Sequence, residues 1–356
     1  MSDLILFIGS TPEGDKPGKI SVYTVNNETA ELTLHSENTE IHSPGFLALS
    51  TCGNFVYTVG GPFNPNANDG MVSAMRFDKE SKILTLINTV STPTNSPCHI
   101  SVDSKLKMVI TANYASGTFS AFPLNDDGSL APASYVEKYE GSSVNETRQT
   151  ASHAHSAYFD PDENFIVVQD LGLDCSFVYR YDGSSKLSEP IQKVASAPGA
   201  GPRHLAFHPN KIYAYRINEL ISSIDVLSIN PGTGEMTLVQ TVSTLPEDFT
   251  GESACADIHV SNDGRHVYGS NRGHESIAIF DIDQTAGTLS NLRTVDSGGE
   301  HPRNFALSPD NNFLFSANVF TNTVKRFSRN SETGDLEQVL DILNIQQPMC
   351  LKFFSC

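Results

Sequence analysis

Five side chains in this sequence have the types needed to hold an anion and to move a proton beside it: His155, Arg203, Glu219, Arg272 and Arg303. Arginine offers a fixed charge and a fork of donors that matches a carboxylate or a phosphate. Histidine titrates near neutral pH, and a glutamate can be tuned toward it by its surroundings. Together they could activate a water, stabilise a developing oxyanion and protonate a leaving oxygen. They lie far apart in the chain, so only the fold can bring them together. Each alone could equally be half of an ion pair that locks two elements.

The chain that must position them is repetitive. SPGFLALSTCGNFVYTVG, SPCHISVDSKLKMVITANY, HAHSAYFDPDENFIVVQDL, GPRHLAFHPNKIYAYRINE, ACADIHVSNDGRHVYGSNR and HPRNFALSPDNNFLFSANV align, and QPMCLKFFSC begins a seventh copy. Anchors at Pro44, Pro97, Ala154, Pro202, Cys255, Pro302 and Pro348 are 46 to 57 residues apart. Each unit reads as four short strands. An apolar alternation follows the anchor, then a turn such as Pro161-Asp162 or Asn262-Asp263-Gly264, a second strand ending at Asn or Asp, and a third rich in β-branched residues. A further turn such as Asp127-Gly128 leads to the fourth. Helical periodicity is nearly absent. The fold expected is all-β: a seven-bladed β-propeller with four antiparallel strands per blade, filling residues 1–356 as a single domain. The seventh unit supplies one C-terminal strand, and Leu4–Ile8, Lys19–Val25 and the strand after Ala30 supply three more, so N- and C-terminal strands are expected to share a blade and leave no open edge.

Repetition separates scaffold from chemistry. Antiparallel order puts the start of the first strand and the end of the second on one face, with the long loops Pro62–Gly70, Glu137–Ser152 and Thr244–Ser253. The column sixteen after the anchor reads Gly60, Asn113, Asp170, Asn218, Asn271 and Asn318, as suits a turn needing unusual backbone angles or side-chain hydrogen bonds. The next column is broken by Glu219 and Arg272, and the column one after the anchor by His155, Arg203 and Arg303. All five are therefore expected at one mouth of the central channel, with His155, Glu219, Arg203 and Arg272 as the catalytic group. His99, His204 and Asp257, one step further in, are expected to line the channel, and with Arg303 and Asn271 they make up the substrate-binding set. His153 is expected to support His155, His259 to be a satisfied core histidine, and His208 and His266 to be solvated on the short-turn face. His42 and His301 are left without a role.

Composition sets limits. Lys plus Arg number 23 against 41 Asp plus Glu, a formal charge of −18, which argues against nucleic acid and anionic membranes as partners. No run of residues is long and apolar enough for a membrane-spanning helix, and the N-terminus lacks the features of a signal peptide. Six scattered cysteines read as reduced thiols, so a cytoplasmic protein is expected. Nucleotide-binding, zinc-protease and serine-hydrolase motifs are missing, and neither a metal nor another cofactor is expected. Nothing sets an oligomeric state.

Several segments carry a family resemblance: GAGPRHLAFHPN, INEL, LPEDF, ADIHVSNDGRHVYGSNRGHESIAIF and HPRNFALSPD. They resemble the lactonase family of seven-bladed propellers, which includes the propeller type of 6-phosphogluconolactonase and the fungal carboxy-cis,cis-muconate cyclase. The likeness extends over nearly the whole chain. In the cyclase branch a His, two Arg and a Glu are implicated, and these match His155, Arg203, Arg272 and Glu219. GAGPRH and LPEDF are more similar to the lactonase branch. The resemblance implies hydrolysis of an anionic sugar δ-lactone, 6-phosphogluconolactone foremost, with Glu219 and His155 sharing acid–base work and the arginines binding the anion. Alternatives are a lactonising cyclase using the same residues, and a non-catalytic scaffold presenting Phe63 and Phe249 on its rim.

Overall fold

A computed structural model describes residues 4–14, 16–61, 70–184, 186–339 and 342–355. The described residues contain no helix and form seven antiparallel sheets arranged as a ring. In blade 4, as an example, the strands run inside to outside as Pro202–Phe207, Tyr213–Asn218, Ser223–Ile229 and Met236–Ser243. Blade 6 gains a short extra strand, Leu343–Asn344, beside Thr323–Arg329. Blade 7 is the composite one. Its inner strand is Pro348–Ser355, hydrogen-bonded to Leu4–Ser10, with Lys19–Val25 and Leu32–Asn38 outside. Leu4, Leu6, Ile8 and Leu351 are buried at this junction, so the clasp is a hydrophobic contact as well as a ladder.

The middle strands are apolar on both faces because each blade is covered by its neighbours. Met108–Asn113, Phe165–Asp170 and Phe313–Asn318 are buried throughout, while outer strands such as Met236–Ser243 are mostly exposed. Aromatic rings fill the wedges between blades: Tyr57 OH donates to Gly128 O, Tyr215 OH to Gly287 O and Tyr268 OH to Gly334 O, each in the next blade.

Two histidines expected in solvent belong to the same wedges. His208 is buried, with Nε2 2.9 Å from Gly264 O, and His266 is buried, with Nδ1 2.9 Å from Arg329 Nη2. The next blade's turn folds over each ring at a glycine of positive φ: a Cβ on Gly264 would stand 2.8 Å from His208 Nε2, and one on Gly334 2.4 Å from His266 Cδ2. The turns are short, but they are pressed against the neighbouring blade.

The repeated Asn/Asp column works through hydrogen bonds. Asn113, Asn218 and Asn271 each donate from Nδ2 to the hydroxyl of Thr118, Ser223 and Ser276, which begin their third strands. Only Gly60 among the six takes a positive φ, 100°.

The inner strands share one irregularity. In blades 2, 3, 4 and 6 the ladder slips just after the anchor, between Pro97 and His99, Ala154 and Ser156, Pro202 and His204, and Pro302 and Asn304. The residue one after the anchor is thus a β-bulge: Cys98, His155, Arg203 or Arg303. A bulged residue is released from the ladder and its side chain re-aimed. That is how a strand start in the wall of the channel presents a side chain at its mouth.

Candidate active site

Glu219 is the centre of the arrangement. It follows Tyr213–Asn218 in a turn fixed by Glu219 N–H to Gly201 O, 2.7 Å, and Leu220 N–H to Ala200 O, 3.0 Å. Its buried carboxylate receives Arg203 Nε at 2.9 Å and Arg272 Nη2 at 3.0 Å on Oε2, and Arg148 Nη2 at 2.6 Å on Oε1. Burial alone would raise this carboxyl. Arg272, Arg203 and Arg148 outweigh it and hold the group down at about 2, so it is ionised throughout the neutral range.

The guanidinium groups are oriented by backbone. Arg203, at 2% exposure, donates from Nη1 to Ala256 O, and burial together with Arg272 and Arg303 brings it down to about 9. Arg272 donates from Nε to Ala254 O, 3.2 Å, and from Nη2 to Cys255 O, 2.7 Å. Arg203 Nη2, Arg272 Nη1 and the whole fork of Arg303 make no hydrogen bond among the described residues. Burial and Arg272 lower the Arg303 group too. Charges of one sign are held close here, with donors to spare for an anion.

His155 completes the cluster. Its Nε2 is 4.0 Å from Glu219 Oε2, and its buried Nδ1 has no hydrogen-bond partner among the described residues. Burial, then Arg203, His204, Arg303 and Arg272, keep the imidazole well below the ordinary histidine range. It is a neutral base facing a carboxylate and several cations. Tyr114 stands edge-on to it with ring centroids 5.5 Å apart and stacks on His153 at 4.5 Å.

Two members of the site gave no signal in the repeat columns. Tyr114 looked like an ordinary residue in its column, and its hydroxyl is 3.4 Å from Arg148 Nη2. Arg148 comes from the loop Glu137–Ser152, which is longer than the equivalent connections of the other described blades; it is the single arginine there, and that was the available clue. Asp174 ties this loop down. It accepts from Gln149 Nε2 at 2.7 Å and Ser143 Oγ at 2.5 Å on one side, and from Gly199 N at 2.6 Å and Gly201 N at 2.7 Å on the other. One carboxylate therefore couples the Arg148 loop to the segment that leads into Arg203.

The other expected site residues lie away from this cluster. Asn271 is buried with its amide saturated: Oδ1 accepts from Thr244 Oγ1 at 2.7 Å, and Nδ2 donates to Thr244 O and Ser276 Oγ at 3.1 Å each. It keeps the structural duty of its column and has nothing left for substrate. His99 lies in the channel between Phe46 and Tyr158, ring centroids 4.4 and 4.5 Å away, with Nδ1 accepting from Ala157 N, and is not hydrogen-bonded to Glu219 or the arginines. His204 and Asp257 lie under Arg203, one step further into the channel as expected, joined to each other at 2.7 Å. His259 is partnered by Asp257 at 3.1 Å but its side chain is 32% exposed, so it is not a core residue. His301 stacks on Phe320 at 4.0 Å beside the arginines, and burial with Arg272 and Arg303 lowers it to about 4. Phe249 packs on His274 at 4.6 Å, and Phe63, with most of the loop Pro62–Gly70, lies outside the described residues. Among the described residues no group of three or more His, Cys, Asp or Glu side chains is placed to hold a metal.

Comparison with known proteins agrees with the ring. The chain is 36% identical to the 6-phosphogluconolactonase of Bacillus subtilis over 99% of both chains. It is 32% identical to that of Formosa agariphila over 98% of this chain and 99% of the relative. The solved structure of a periplasmic gluconolactonase from Pseudomonas aeruginosa superposes with a TM-score of 0.91 at 28% identity, covering 99% of each chain. The profile described as lactonase, 7-bladed beta-propeller, matches residues 5–353, and the chain belongs to that family.

Proposed function

We propose that this protein hydrolyses 6-phosphogluconolactone to 6-phosphogluconate. The observation that carries the reading is the Glu219 carboxylate held by three arginines beside neutral His155, with the Arg303 fork left without a hydrogen-bond partner among the described residues. The names of the Bacillus and Formosa relatives support the same substrate.

The chemistry divides among these groups. His155 Nε2, turned toward the carboxylate, takes a proton as a water oxygen bonds to the lactone carbonyl carbon. The carbonyl oxygen becomes an oxyanion that the free edges of Arg203 and Arg272 meet. Collapse breaks the bond from that carbon to the ring oxygen, and the imidazolium returns its proton to that oxygen. The products are a hydroxyl and a carboxylic acid, which ionises. Burial and the neighbouring cations disfavour the imidazolium, so the proton is readily given back. Glu219 acts as counter-ion and not as proton donor, because a carboxyl at about 2 carries no proton near neutral pH. Arg303 takes the 6-phosphate.

The test is hydrolysis of freshly prepared 6-phosphogluconolactone above its spontaneous opening, beside unphosphorylated gluconolactone. Preference for the phosphorylated lactone by about 10²-fold or more in kcat/KM is expected if Arg303 and its neighbours bind the phosphate. Acceleration of neither lactone refutes the proposal. Preference for gluconolactone moves the assignment to the activity named for the Pseudomonas structure.

A further inference from the structure

Beneath the mouth, the channel contains a buried carboxylate that the hydrolysis does not use. Asp257 lies in the inner strand of blade 5 at 3% exposure, and five donors converge on it. His204 Nδ1 at 2.7 Å and Ile258 N at 3.0 Å meet Oδ1. Asn304 Nδ2 at 2.5 Å, His259 Nε2 at 3.1 Å and Phe305 N at 3.4 Å meet Oδ2. Burial opposes its charge, but His259 and His204 hold it well below the usual carboxylate range. An ionised carboxylate only accepts, so His204 must carry its proton on Nδ1 and present a bare Nε2. That bare nitrogen faces Arg203 Nη1 at 3.4 Å, and the same Nη1 donates to Ala256 O. The contact is possible in one tautomer only, since an Nε2–H would oppose the guanidinium N–H.

We propose that Asp257 is a positioning residue for the lactonase site: by fixing the tautomer of His204, it fixes the plane of the Arg203 guanidinium that meets Glu219 above and the substrate beside it. This rests on the lactonase reading of the mouth. Asp257 touches no reacting atom. Its influence passes through a carboxylate–imidazole–guanidinium chain, Asp257 to His204 to Arg203 to Glu219, with links of 2.7, 3.4 and 2.9 Å. In Asp257→Asn the amide NH2 takes the side with fewer donors, opposite His204. The ring can answer by moving its proton to Nε2, which sets N–H against N–H at Arg203.

The experiment has two arms. Histidine-labelled ¹⁵N NMR of the wild-type protein, with the His204 signal assigned by its loss in His204→Gln, is expected to show a protonated Nδ1 and a bare Nε2 at neutral pH. It is expected to show the opposite tautomer in Asp257→Asn. This arm needs no substrate, so it stands even if the lactone is not hydrolysed. In kinetics, Asp257→Asn is expected to lower kcat about 10-fold or more with KM within about 3-fold, since Arg203 is misplaced while the other arginines still bind. His204→Gln, whose amide oxygen accepts whatever the tautomer, is expected to restore at least about 5-fold when added to Asp257→Asn. His204→Leu alone should fall with Asp257→Asn, and it remains informative if Asp257→Asn does not fold. A wild-type His204 protonated on Nε2 overturns the proposal. So does an Asp257→Asn enzyme within about 2-fold of wild type, a double variant no better than Asp257→Asn, or His204→Leu with wild-type kcat.

Discussion

Replacing Glu219 by glutamine removes one charge from a site where Arg148, Arg203 and Arg272 all lie within 3.0 Å of the carboxylate. Its carboxyl is lowered from 4.5 to about 2, and each unit corresponds to about 1.4 kcal/mol, so ionised Glu219 contributes on the order of 3 kcal/mol to the folded state. The folded value is depressed, so this contribution is complete above the unfolded value near 4.5 and lost as pH falls toward 2. At pH 7 the variant forfeits it all, in line with the ~3–5 kcal/mol typical when one partner of a buried pair is removed. Unfolding entropy of about 2.1 cal/mol/K per residue over 356 residues gives ~0.75 kcal/mol/K, so Tm should fall by roughly 4–7 °C. Calorimetry at pH 7 reads this directly. Inorganic phosphate should raise the Tm of Glu219→Gln more than that of wild type, because an anion can stand where the carboxylate charge was. Lactone hydrolysis should fall at least ~10²-fold, since the freed guanidinium groups separate. A Tm within 1 °C of wild type, with no extra gain from phosphate, would refute the claim that Glu219 holds the arginines in place.

Arg303→Ala removes a side chain with no hydrogen-bond partner among the described residues, so its Tm should stay within ~1 °C. Its KM for the phosphorylated lactone should rise ~10- to 100-fold while that for gluconolactone holds, as parallel kinetics will show. His204 is lowered from 6.5 to about 4 by burial first and Arg203 second, so its stabilisation is complete above pH 6.5 and lost between 6.5 and 4. Scanning Tm over that window should show a loss on the order of 3 kcal/mol that His204→Gln abolishes. Asp174→Ala unties the Arg148 loop from Gly199 and Gly201, and limited proteolysis should then cut between residues 141 and 150 while KM rises. At ~0.01 M salt the Debye length of ~30 Å lets the whole charge of −18 repel a phosphorylated substrate, whereas at ~0.15 M, ~8 Å, the arginines act locally. Stopped-flow measurement of kcat/KM should therefore rise from low to physiological salt, and a monotonic fall would contradict it.

The ring was legible because its physics repeats. Each blade needs the same anchor, turn and polar strand end, so the pattern survives divergence in any one copy. The clasp was legible from arithmetic on the last copy, since a lone first strand must find three partners. What failed was the assumption that a short polar turn faces water. His208 and His266 have the composition of surface residues, and only the approach of Gly264 and Gly334 from the next blade makes them buried. That contact is between copies and leaves no trace in the periodicity of either.

The site was legible for a reason that became visible only in the ladder. His155, Arg203 and Arg303 broke their column because that column is the β-bulge, the position of these inner strands released from the pairing ladder. A position without a pairing duty is free to vary from blade to blade, and such positions recurring around one channel can be filled to suit a ligand. Asn271 shows the converse. It adjoins Arg272 in sequence, but its column has a duty, the hydrogen bond to the third strand, and that duty consumes the amide. Arg148 lay beyond this reasoning because its loop belongs to no column, and its place depends on Asp174, two strands away. Asp257 sits between these cases. It occupies the column beside the bulge, where His204 stands in the preceding blade and Asn304 in the following one, and the three side chains join into one network across the channel. Neighbouring blades thus place equivalent positions within hydrogen-bonding reach of one another. In a propeller, a polar residue in the innermost column is best judged by what the adjacent blades carry in that same column.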